Sequence, residues 1–239
     1  MSGFVAGVER QAVILRRLPD YLTFIAISPL STLAFLAIVR SVGREDLSAT
    51  ALIGVSIITT WQTGLFVAGD TLALDRQFGL LELNLAAPIS VRRFLIGRVV
   101  VSTTFSFIPF IVNIAVARLV FGPDVANVAD PGRFVVVGVM MWFAMLGALL
   151  CMSSIFVMSG RSTALGNGLS YPLFLLAGVV VPVTYLPTWV QPISALIFMR
   201  WSAEGFRLAA AGSPESIVPG LVANLVLGVV MLGVGTILL

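Results

Sequence analysis

Asp75, Arg76, Glu82, Arg92, Arg93 and Arg98 crowd into one stretch, "DRQFGLLELNLAAPISVRRFLIGR", of a chain that otherwise carries few charges. Elsewhere, residues equipped for chemistry are sparse: Trp61, Gln62, Asp70, Asn113, Asn167, Asn224 and one cysteine, Cys151. Every basic residue is arginine; the sequence has no lysine and no histidine. A phosphate-binding P-loop is therefore excluded, because its lysine reaches the phosphates. Schiff-base chemistry and histidine proton relays are excluded with it. Cys151 lies in an apolar run with no charged neighbour to favour a thiolate, so it reads as a small buried hydrophobe. Membrane-embedded catalysis needs clustered carboxylates, histidines or a serine–lysine pair. None is present, so the sequence gives no catalytic residue and no metal ligand to assign.

The elements that position these residues follow from composition. The chain is 59% hydrophobic and 10% charged, with a mean hydropathy of +1.07. Soluble domains carry about 25% charged residues, so this surface cannot be wetted on all sides. About 20 apolar residues span a bilayer as a helix. Charge-free runs then predict six spans: Tyr21 to Val39, Leu47 to Gly69, Val99 to Ala117, Phe134 to Gly160, Ser162 to about Val181, and Ser216 to Leu239. Between the last two lies a piece broken by Pro182, Pro187 and Pro192. Residues 1–19 mix apolar residues with Arg10, Arg16 and Arg17, which predicts a helix lying in the membrane interface against lipid headgroups. They lack the short apolar core and cleavage site of a signal peptide. The net charge of +3 is too small to argue for nucleic acid. Arginine placement favours an N-terminus on the cytoplasmic side, with Arg10, Arg16, Arg17, Arg76, Arg92, Arg93, Arg98 and Arg161 inside. Six spans then put both termini inside. The fold expected is all-α, an integral membrane protein of one domain over residues 1–239.

The charged stretch falls between spans two and three. From Asp75, the residues Phe78, Leu81, Leu85 and Ile89 recur at helical spacing, with Arg76, Gln77, Glu82 and Asn84 off that stripe. Pro88 ends the pattern, and Ser90 is placed to cap the next helix. The spacing predicts an amphipathic helix over residues 75–90 at the inner surface. It serves either as an interfacial connector or as a docking surface for a cytoplasmic partner.

"GLLELNLAAPISVRRFLIGR" resembles the cytoplasmic connector of ABC type-2 transporter permeases, written G-T-L-E-x-L-x-x-x-P-x-S followed by an aromatic and G-K/R. Gly79, Leu81, Glu82, Pro88, Ser90, Phe94, Gly97 and Arg98 match, while Leu80 and Asn84 depart from the pattern. "YPLFLLAGVVVPVTYLPTWVQPISALIFMRWSAEGFR" resembles the fifth span and extracellular re-entrant helices of the same family, through Pro172, Gly178, Pro182, Leu186, Pro187, Trp189 and Arg207. Arg200 stands where that family commonly has proline.

The resemblance implies a multi-pass permease subunit in a bacterial cytoplasmic membrane, with a re-entrant segment over residues 182–207. It would work with a separate P-loop ATPase subunit, which binds ATP and magnesium, and with a second permease copy or a related permease. Arg76, Phe78, Gly79, Leu81, Glu82 and Pro88 would meet the ATPase. Spans two and five line the path in the family, making Trp61, Gln62, Phe66, Asn167, Tyr171 and Phe174 candidates for substrate contact; packing and helix–helix hydrogen bonding is the alternative for each. The implied activity is export of an amphiphilic drug, natural product or lipid-like molecule, with polysaccharide or glycolipid export as the alternative. An ATP-independent carrier is disfavoured, because the membrane-embedded ionisable pairs needed for ion coupling are absent.

Overall fold

The computed structural model describes residues 3–17, 20–77, 79, 90–159, 162–179, 183 and 186–238. Among them every regular element is helical. An amphipathic helix, α1 (Gly3–Arg17), is followed by α2 (Asp20–Ser41) and the long α3 (Ser48–Gln77). Next come α4 (Val91–Ser106) and α5 (Ile108–Phe121), then α6 (Pro131–Ser159) and α7 (Ser162–Leu176). A single turn, α8 (Gln191–Ser194), leads to α9 (Phe198–Ala211) and α10 (Val218–Leu238).

Among the described residues, four stretches are long and apolar enough to cross a membrane: Glu45–Gly69, Val91–Phe121, Pro131–Phe156 and Val218–Leu238. A shorter apolar helix, Ile25–Ser41, lies in α2. The expected third span begins earlier than Val99 and is interrupted: α4 stops at Ser106 and α5 restarts at Ile108, with Pro109 in its first turn. Proline cannot donate to the preceding turn, which breaks the helical ladder there.

The core surrounds α3. From Leu52 to Gly69 its residues are buried, apart from Ile58, Gln62 and Phe66, which are half-buried. Ile57 and Trp61 meet Met141, Met145 and Leu149 of α6, Phe174 of α7 and Phe206 of α9 in one apolar cluster. The Phe206 ring lies 4.6 Å from that of Phe134 and 5.1 Å from that of Phe110. Two asparagines on the spans are tied internally, as a medium without water favours. Asn113 donates to Thr59 Oγ1 at 2.9 Å and Asn224 to Ser202 Oγ at 3.2 Å, so both asparagines join helices.

α6 and α10 meet through glycine. A Cβ on Gly147 would stand 2.5 Å from the Gly228 carbonyl oxygen, and one on Gly235 would stand 2.9 Å from the Cys151 nitrogen. Ser154 Oγ donates to the Gly235 carbonyl at 3.0 Å. The opposite face of α10 leaves Val222, Leu225, Val226, Val229 and Val230 exposed, a patch that lipid, not water, can cover. The small-residue series Gly160, Ala164 and Gly168 reads differently. Residue 160 lies outside the described residues, and Gly168 has nothing within 4 Å of a built Cβ. Its spacing alone did not identify the close crossings; backbone-to-backbone approach at Gly147 and Gly228 does.

Gly147→Ala should lower the thermal midpoint of the purified protein, because overpacking costs about 1–3 kcal/mol. Gly168→Ala should leave it unchanged or raise it slightly, since alanine is the better helix former by about 1 kcal/mol. Melting both variants followed by size-exclusion checks the contrast; equal shifts would contradict the packing described.

Candidate functional site

The connector begins later than its apolar stripe suggests. α3 runs on to Gln77, so Asp75 and Arg76 belong to that helix, and Gly79 follows with φ +65. A left-handed residue just past a helix end is a stop that glycine supplies without Cβ strain. Phe78, Leu81, Glu82 and Pro88 lie outside the described residues, as does the remainder of the predicted helix up to residue 89. Ser90 does stand at the N-cap of α4, yet its hydroxyl makes no capping bond.

What the structure describes at this end is the pair of flanks and what binds them. The Asp75 carboxylate accepts from two guanidiniums: Arg10 Nη2 on α1 at 3.0 Å, and Arg98 Nη1 on α4. Arg98 Nε donates to Gln11 Oε1, also on α1, at 3.1 Å. Arg98 and Asp75 expose 3% and 4% of their side chains, whereas Arg10 exposes 33%. Breaking such a buried pair by removing one partner costs about 3–5 kcal/mol, because the other charge stays buried. Three helices therefore converge on one carboxylate.

Glycine makes the convergence geometrically possible. A Cβ on Gly97 would lie 2.3 Å from the Phe4 carbonyl oxygen, and one on Gly7 would lie 2.1 Å from the Phe94 carbonyl oxygen. α1 and α4 thus cross backbone to backbone, which brings Gln11 and Arg10 within reach of Arg98 and Asp75. The phenyl ring of Phe94 lies 5.7 Å from the Arg98 guanidinium carbon. Phe94, Gly97 and Arg98, matched above only as members of a motif, gain physical reasons: a crossing point and a buried cation. Asp75 was read only as the start of a surface helix. The signal available was its position, an acid at the end of an apolar run in a chain whose cations are all arginine.

Of the six residues expected to line a substrate path, the structure brings Trp61 and Phe174 into one buried cluster. Trp61 is buried, its indole donates to Ser170 Oγ at 3.2 Å, and its ring packs 5.8 Å from Phe198. Phe174 is buried in the same cluster. Gln62 and Phe66 fall on the half-buried stripe of α3 with Ile58, each one turn from the next. Tyr171 is exposed on α7, near exposed Leu175; Asn167 is on that helix, and its side chain lies outside the description. A seam along α3 emerges that the described residues cover only in part. At its far end, Arg207 Nη2 donates to the carbonyls of Gly178 and Val179 at 3.0 and 2.9 Å, where α7 gives out. Val179 in turn sits against Gly54 of α3, its carbonyl oxygen 2.6 Å from a built Cβ. No group of carboxylates or cysteine able to hold a metal occurs among the described residues.

An all-helical chain with several membrane-long apolar helices and one amphipathic helix clamped to their ends is a multi-pass membrane protein of transporter type. It belongs to the ABC-2 type transporter family, whose model matches residues 3–210. Over 157 residues it is 27% identical to a protein of Pyropia yezoensis that carries the name of a transport permease, ycf38. That alignment covers 64% of this chain and 53% of the relative, so the chain spans about half the length of the curated relative it matches.

Gly97→Ala should push α1 away from α4 while the spans still insert, overpacking by about 1–3 kcal/mol. With no lysine in the sequence, trypsin cuts only at arginine, so faster cleavage after Arg10 in the detergent-solubilised variant is the expected outcome. Cleavage at the unaltered rate would contradict the crossing.

Proposed function

We propose that this chain is the membrane-spanning permease subunit of an ATP-driven exporter, in which a separate ATPase supplies the motion. The observation that carries the reading is the Asp75 node: both flanks of the connector and the amphipathic α1 are fixed to each other at one end of the spans. A surface that receives force from a partner needs such anchorage. The family supports an ABC ATPase as that partner, and the absence of lysine agrees, since these residues supply no P-loop.

The proposal keeps six spans, with α2 and α7 as the first and fifth, and takes the α1 end as cytoplasmic from the arginines gathered there. The segment over residues 182–207, with exposed Trp189, Ile193 and Leu196, then lies at the outer leaflet. Arg76, Phe78, Gly79, Leu81, Glu82 and Pro88 are the residues that meet the ATPase: the apolar ones fill a groove and Glu82 pairs with basic or polar groups. The substrate passes along the seam of α3. Ile58 and Phe66 beside Gln62 mix apolar surface with a hydrogen-bonding group, which suits an amphiphile better than an ion; among the described residues no ring of charges lines it. A second permease copy, or a related one, closes the seam.

The chain, tagged and purified from its native membrane, should bring down a P-loop ATPase at comparable stoichiometry. Its absence would refute the reading. In that complex Glu82→Arg should lower ATP hydrolysis and the yield of ATPase recovered, with the permease still inserted at wild-type level. Unchanged recovery and hydrolysis would remove Glu82 from the contact.

A further inference from the structure

Asp75 and Arg98 stand on the two helices that flank the connector, one in the last turn of α3 and the other about two turns into α4. The geometry points to Asp75 as a positioning residue that closes the base of the connector, so that α3 and α4 move as one body when the connector is displaced. The inference rests on the reading that the connector receives the ATPase's motion, and it adds how that motion reaches the seam.

Consider a loop pushed from outside the membrane. If its two ends can spread, the loop absorbs the displacement. If they are tied, the same push must tilt both helices together. Here the tie is an ion pair almost wholly removed from water, and so it escapes the screening that weakens exposed pairs. Gln11 Oε1 accepts from Arg98 Nε and fixes the guanidinium's orientation toward Asp75. α3 then carries the tilt without interruption from Asp75 to Phe66, Gln62 and Ile58, the half-buried stripe of the seam.

The two arginines are not equivalent. Arg98 is buried, whereas Arg10 is reached by solvent. The α3–α4 tie therefore persists under conditions that release α1. α1 steadies the node, and the closed base depends on Asp75 and Arg98.

The test uses the full chain with its co-purified ATPase in lipid nanodiscs, with Cys151→Ser and a nitroxide pair at residues 77 and 90. Dipolar broadening between the nitroxides should be the same without nucleotide and with ATP and vanadate. Spreading of the flanks by more than about 5 Å, one helical turn, on adding nucleotide would overturn the inference. Asp75→Asn should relieve the broadening, and Asp75→Glu, which keeps the carboxylate, should retain it. A single nitroxide at residue 62 reads arrival of the motion at the seam. Its accessibility to a paramagnetic quencher should change with ATP in the wild type. In Asp75→Asn this change should fall by at least about fivefold, the lower range of coupling between linked sites, while hydrolysis continues. A purely structural loss would lower both together, and a wild-type response in Asp75→Asn would overturn the inference. Should Asp75→Asn fail to assemble, Arg10→Gln decides: it leaves the buried pair intact, so broadening and the response at residue 62 should persist, and their loss would overturn the inference. Broadening in the chain alone needs no ATPase, so an open base there refutes the clamp even where a missing ATPase refutes the function proposed.

Discussion

One carboxylate shared by two guanidiniums, with almost no water near it, fixes where α1, α3 and α4 meet. Asp75 cannot be left unpaired at that depth, and neither can Arg98. The requirement decides more than one contact. It holds the amphipathic α1 against the spans, sets the register of α3 relative to α4, and places both flanks of the connector side by side. The glycine crossing at Gly7 and Gly97 makes the approach sterically possible. Neither feature suffices alone: glycine permits the backbones to touch, and the charges specify which residues touch.

The same logic runs along the rest of α3. Thr59 with Asn113 and Trp61 with Ser170 satisfy polar groups where the surroundings are apolar, while Arg207 occupies the carbonyls left bare where α7 ends. From Leu52 to Gly69, α3 is thereby buried apart from Ile58, Gln62 and Phe66, a half-buried stripe with a spacing of one helical turn. A helix buried so completely has little freedom to bend locally. It transmits displacement along its length, which is why a node at one end bears on a seam in its middle.

Much of the architecture was legible in the sequence because lipid imposes a simple rule: a span is a long run without charge. That rule located α6 and α10 closely. It also located the third span, but counting charges does not register the break before Pro109. Long-range pairing was not legible. Asp75 and Arg98 stand at opposite ends of one charged stretch, and each alone looks like an interfacial charge. Glycine crossings were equally hidden, because with 22 glycines in the chain no spacing singles out Gly97 or Gly147; only the backbone approach does. Among the path candidates, residue type could not tell Trp61, turned into the core, from Gln62 one residue on, which faces the seam. That difference is set by the neighbours α3 happens to have.

The account stands or falls on α1 being part of the transmembrane body and not a helix resting loosely on lipid. Hydrogen exchange measured on the wild-type chain in nanodiscs addresses this directly. The account predicts that amides of α1 around Gly7 and Gln11 exchange about as slowly as those at the start of α4, since local opening would break the buried node. Exchange in α1 at the rate of an isolated amphipathic helix, with α4 still protected, would contradict it.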